Sequence, residues 1–146
     1  MAGTALVTVG LVFAAAIPAP RAVATTCNLA TVRAGTRWRG TYTCGQGLTE
    51  LTLVIRSVRD GRVDAIFDFD WRAGGISRRF EVRGVLSPTT CRLRLTPVRW
   101  LEQPPPGWVM VSLDGAFGNN GTRYSGRVHP DSGGAACTTF SVTLER

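Results

Sequence analysis

From about residue 36 onward, apolar and polar side chains alternate with period two, and that alternation limits the fold more than any other feature of the chain. In Cys91-Arg-Leu-Arg-Leu-Thr96 the character changes at every step, as in a strand with one face buried. Phe140-Ser-Val-Thr-Leu-Glu145 does the same. Along Ala65–Trp71, Phe67, Phe69 and Trp71 fall on one side and Asp68 and Asp70 on the other. Further strands are expected at 36–44, 49–58, 77–87, 108–117 and 121–129. Asp60-Gly61, Ala73-Gly74-Gly75, Asn119-Asn120-Gly121 and Ser132-Gly133-Gly134 punctuate them as turns. No window of ten or more residues carries a helical stripe.

Eight short strands joined mostly by tight turns read as an all-β antiparallel meander, closing as a small eight-stranded β-barrel or splitting into a β-sandwich. The cysteines favour closure. Cys27, Cys44, Cys91 and Cys137 are 17, 47 and 46 positions apart, without the close pairs of a four-cysteine zinc site, so they read as two disulfides. In a closed meander the end of the first strand lies beside the start of the last, where Cys44 and Cys137 fall. Their pairing leaves Cys27 with Cys91, tying an N-terminal arm to the barrel wall.

Residues 1–24 read as a signal peptide. Ala5–Ile17 is an apolar run too short to span a bilayer, Pro18 and Pro20 break it, and Ala22-Val23-Ala24 offers small residues for cleavage. No Lys or Arg precedes the run, so the n-region is weak or the start site is wrong, and a buried N-terminal element is the alternative; Ala24-Thr25-Thr26 fits a lipid anchor at Cys27 poorly. Residues 25–146 then form one domain with no transmembrane segment, secreted or periplasmic. All 17 basic residues are Arg against 10 acidic ones. GC-rich coding explains this on its own; bidentate recognition of carboxylate, sulfate or phosphate groups is the functional alternative. The excess charge favours anionic polymers or surfaces.

Catalytic sets fail on inventory. The one histidine, His129, precedes Pro130 at a strand end and reads as an exposed turn residue. There is no Gly-x-Ser-x-Gly, no thiol outside the expected bridges, no phosphate loop and no metal-ligand spacing. Asp68 and Asp70 share a strand face, as a glycosidase pair would need. They read instead as members of cross-strand charge pairs with Arg79, Glu81 and Arg83. No enzyme, metal or cofactor is expected, and nothing specific to nucleic acid.

The segment from Pro97 to Trp108 is read as a stiff loop between two strands, rich in proline and carrying two tryptophans. Trp100 and Trp108 either cap the barrel end or form a recognition surface. In the recognition case Trp108 is the exposed ring, Trp100 packs inward and Arg99 grips an anionic group beside the ring. Asn120-Gly-Thr122 matches a glycosylation sequon but reads first as a hairpin turn.

The stretch Trp38-Arg-Gly40-Thr-Tyr42-Thr-Cys44-Gly-Gln46-Gly47-Leu-Thr49 is joined by Trp100-Leu-Glu-Gln-Pro104, Gly107-Trp-Val-Met-Val111, Leu113-Asp-Gly115 and Cys137-Thr-Thr-Phe140. Together they resemble a group of uncharacterised secreted bacterial β-domains over most of residues 36–146. That resemblance implies a fold rather than an activity, and Cys27 and Cys91 stand outside its pattern. The Tyr42–Gly47 segment is also similar to the opening of the periplasmic inhibitors of C-type lysozyme, which are eight-stranded barrels. The functional expectation is a non-catalytic binding or envelope-associated module whose partner is an anionic polymer or envelope component. The alternative is an inhibitor of a secreted hydrolase such as lysozyme.

Overall fold

Tight turns govern the path of the chain. Asp60 and Gly61 both take positive φ, 49° and 77°, the backbone of a hairpin turn matched to strand twist. They join β2 (Gly47–Arg59) to β3 (Arg62–Trp71). The computed structural model describes residues 3, 10, 14–20, 27–132 and 136–146. The remaining strands are β1 (Arg37–Cys44), β4 (Ile76–Leu86), β5 (Arg92–Trp100), β6 (Val111–Gly118), β7 (Arg123–Pro130) and β8 (Thr139–Leu144). Each strand pairs antiparallel with the next, and β1 pairs with β8 from Trp38↔Leu144 to Tyr42↔Phe140, so the sheet is a closed eight-stranded barrel. The sandwich alternative is thereby set aside.

The period-two pattern does what it should. Phe67 and Phe69 point inward at 0% and 2% exposure, and Phe67 stacks on Phe80 with ring centroids 4.4 Å apart. Leu51, Leu53, Leu93, Leu95 and Leu113 fill the same interior. Tyr124 lies between Phe117 and Phe140, each 4.8 Å away. Its hydroxyl donates to the Leu93 carbonyl at 2.7 Å, which removes the cost of burying it. On the outer wall Asp64 accepts from Arg83, and Arg92 donates to Asp114 at 2.8 Å.

Around the Trp segment two strand limits differ from expectation. Residues 97–100 are the end of β5, not part of a loop. Pro97, opposite Val82, is tolerated because the ladder is irregular there, the register slipping between Glu81 and Val82. Val98 is left 43% exposed. The strand expected from 108 begins at Val111 instead, after Pro104-Pro105-Pro106-Gly107, because proline offers no N–H to a ladder.

Both disulfides have the expected connectivity, Cys44–Cys137 and Cys27–Cys91. The first joins the end of β1 to the approach of β8. The second staples residues 27–36 across the opposite barrel end. There Asn28 Nδ2 donates to Asn120 Oδ1 at 3.2 Å, Thr31 Oγ1 donates to the Gly121 carbonyl at 2.5 Å, and Val32 is buried. Asn119 and Asn120 adopt left-handed φ in that turn, and a Cβ at Gly121 would overlap the Asn28 carbonyl. Glycine is what lets the arm lie against the turn.

Two disulfides in so small a barrel fit oxidising, extracytoplasmic surroundings. No helix among the described residues is long and apolar enough to cross a membrane. The expected cleavage segment Ala22-Val23-Ala24 and residues Gly133 and Gly134 of one expected turn lie outside the described residues.

Candidate functional site at the open barrel mouth

At the end away from the arm, three fully described connections converge, beside the partly described one between β7 and β8 that carries Cys137. They are the Gly45-Gln46 hairpin between β1 and β2, the turn that follows Trp71, and residues 101–110 between β5 and β6. Between them opens a cavity of about 340 Å³. Tyr42, Trp71, Trp108, Val109 and Val111 supply its apolar walls, the Cys44–Cys137 bridge borders it, and Pro106 and Gly107 form its rim. Among the described residues no charged side chain lines it.

Each aromatic wall is held from behind. Trp108 is half-buried and stacks nearly parallel on Phe69, centroids 5.2 Å apart, with Trp71 tilted beside it at 5.8 Å. Trp71 ends the inward series Phe67, Phe69, Trp71 and so projects at the rim. Behind it residues Arg72–Gly74 form a single 3₁₀ turn. A Cβ at Gly74 would overlap the Trp71 indole, so glycine is needed for the turn to close on the ring. The 101–110 segment is pinned to β4. Arg78 Nε donates to the Gln103 carbonyl at 2.9 Å, the Leu101 N–H donates to the Arg79 carbonyl at 2.9 Å, and Arg79 pairs with Glu102 at 2.8 Å.

Two of the lining residues, Tyr42 and Gln46, carry polar groups. Gln46 Nε2 donates to Thr49 Oγ1 at 3.0 Å and to the Tyr42 hydroxyl at 3.4 Å. The Gln46 side-chain oxygen accepts no hydrogen bond from the described residues and remains an available acceptor. Burial pushes the Tyr42 phenol above its usual range, partly offset by the Gln46 and Thr49 hydrogen bonds, so it stays a neutral donor. One donor and one acceptor among aromatic walls is the usual make-up of a small-ligand cleft, and the volume lies near the low end of the roughly 300–1,000 Å³ such sites span.

The three residues singled out in the Trp segment do not come together. Trp108 lines the cavity. Trp100 lies beneath, edge-on to Phe80 at 5.2 Å and to Phe69 at 6.3 Å. Arg99 is on the opposite face of β5, where its guanidinium grips Glu81 at 2.9 and 3.2 Å. Because β5 continues through residue 100, adjacent residues alternate faces, and Arg99 cannot stand beside either ring. Tyr42, Gln46 and Trp71 were not singled out as site residues. Their signal was that Trp71 carries an apolar face one position past a strand's core and runs into Gly74-Gly75.

The acidic residues lie elsewhere. Arg72 bridges Glu50 and Asp70 at 2.9 and 3.6 Å, and Asp68 sits opposite Arg79 in the register. His129 is exposed near the end of β7. Neither a family of known proteins nor any curated sequence matches this chain.

Proposed function

We propose that the protein is an exported, non-catalytic binding module that takes an uncharged ring-shaped group of an envelope or secreted partner into the barrel mouth. The observation that carries this is the asymmetry of the two ends. One is closed by the disulfide-held arm, while the other is an open cleft with two indole walls, a phenol donor and an amide acceptor. Flat apolar walls with one hydrogen-bonding pair suit the face of a sugar or an aromatic ring.

An inhibitor of a secreted hydrolase would use a side chain projecting from a rigid loop as a plug. The 101–110 segment is rigid, yet its large ring, Trp108, turns inward onto Phe69, so the geometry favours the receiving role. Export implies loss of residues 1–24, and mass spectrometry of the protein from culture fluid or periplasm should give a chain starting near Thr25. An intact Met1 there would end the export reading.

Tryptophan fluorescence tests the mouth. A soluble quencher should reach the half-exposed Trp71 and Trp108 while Trp38, at 1% exposure, stays dark to it. Titration with chito-oligosaccharide in one arm and indole in the other distinguishes a sugar from an aromatic occupant. Val109→Trp fills the cleft without removing the Phe69–Trp108 stack and should abolish whichever signal is seen. Equal binding by that variant, or complete shielding of all four tryptophans, would refute the proposal.

A further inference from the structure

On the outer wall Arg83 is neutralised by Asp64, Arg99 by Glu81, Arg79 by Glu102 and Arg72 by Glu50, whereas Arg33, Arg56, Arg78, Arg123 and Arg146 stand apart from one another in the register without an ion pair among the described residues. One row of the register gathers four arginines in a line. Following the register from strand to strand, Arg59 faces Arg62, Arg62 faces Val85, Val85 faces Arg94, Arg94 faces Asp114, and Asp114 faces Arg127. All four arginines are exposed, and Val85 at their centre is 67% exposed. Asp114 is turned mainly to Arg92, at 2.8 Å, and reaches Arg94 only at 3.9 Å. Arg59, Arg62 and Arg127 make no ion pair among the described residues, although Asp60 lies in the turn between the first two. Like charges set directly opposite on a sheet destabilise it, so Arg59 beside Arg62 brings the fold no evident gain.

We infer that this row is a binding belt for a flexible linear polymer bearing repeated oxyanion groups. It lies on the outer wall and is separate from the mouth. Strands lie about 4.8 Å apart, so guanidiniums recur along the belt at about 5 Å and then about 10 Å. Arg can grip carboxylate, sulfate or phosphate with two parallel hydrogen bonds at each stop. Shape selects the class of polyanion. Eight strands share the full turn of the barrel, so each step rotates the outward direction by about 45°. The five steps from Arg59 to Arg127 therefore wrap more than half the circumference. A flat lipid surface touches only a few adjacent strands, and duplex DNA is stiff over about 150 bp. No aromatic ring interrupts the row to stack bases, as proteins that bind single-stranded nucleic acid use. A supple polymer chain can follow the curve.

The probe is long-chain dextran sulfate, titrated by calorimetry or anisotropy at several salt concentrations. Four charge contacts to a flexible polyanion predict a log–log salt slope of about −3. That is a roughly sixty-fold loss of affinity between about 50 and 200 mM salt. The variant Arg59→Gln/Arg62→Gln/Arg127→Gln breaks no ion pair and should melt with the native protein, while its slope falls to about −1. Arg33→Gln/Arg39→Gln/Arg146→Gln removes as much charge from the β8–β1 side and should bind almost as the native chain does. The inference is overturned if the two triple variants weaken binding equally, which would make the effect one of net charge. It is equally overturned if the belt variant binds like the native protein, or if anionic phospholipid vesicles or a duplex bind as tightly as the polymer and lose that binding in the belt variant.

Discussion

Phe67 and Asp68 are chain neighbours that meet opposite environments. Phe67 is fully enclosed between Phe80 and Tyr42, so Phe67→Ala should cost about 3–5 kcal/mol in a denaturant titration. Asp68→Ala, on the outer face, should cost under about 1 kcal/mol. Equal effects at the two positions would put the strand register off by one. The carboxylates also differ among themselves. The Arg83 hydrogen bond holds Asp64 below the usual range, so its contribution to stability is present above its unfolded pKa and fades as pH falls through the folded value. Burial raises Asp68 despite Arg79 and Arg37 nearby, so its favourable form is the neutral one and is lost as pH rises through the folded value. Asp64→Asn should therefore lower the urea midpoint at neutral pH and matter little in strong acid. Asp68→Asn should raise the midpoint at neutral pH. The same sign for both variants at neutral pH would contradict these environments.

Among the elements, the turns at Asp60-Gly61 and Asn119-Asn120-Gly121 were the most legible in the sequence because they need a left-handed backbone that Gly, Asn and Asp adopt most readily. The core face of β3 and both disulfide pairings were legible for a similar reason, since period two and closure each admit few solutions. The mouth was not. Its walls come from residues as distant as Tyr42, Trp71 and Trp108, and no local pattern records that they meet. The reading of Arg99 went astray because proline at position 97 looks like the end of a strand, whereas the slipped β4–β5 ladder absorbs it. The 3₁₀ turn behind Trp71 offers a direct check on how the mouth is built. Gly74→Ala should displace the indole and change the fluorescence of Trp71 while the far-ultraviolet circular dichroism of the barrel persists. An unchanged emission spectrum would mean the turn does not set the ring.

On the scale of the whole molecule, the two bridges close loops spanning 64 and 93 residues. Chain entropy values each at roughly 4–5 kcal/mol, a large share of the roughly 5–15 kcal/mol a domain of this size commands. Replacing Cys44 and Cys137 together by Ser should lower the free energy of unfolding by about that amount, and a loss under about 1 kcal/mol would mean that β1–β8 pairing alone secures the barrel. The position of that bridge has a further consequence. β1 and β8 are the first and last strands, and their ladder holds just five residue pairs, Trp38↔Leu144 to Tyr42↔Phe140. Should the seam part, two strand edges with unpaired N–H and C=O groups would face solvent, ready to template pairing with other copies. The Cys44–Cys137 bond is thus also a guard against self-association, and under reducing conditions the protein should be lost to aggregation before it is lost to unfolding.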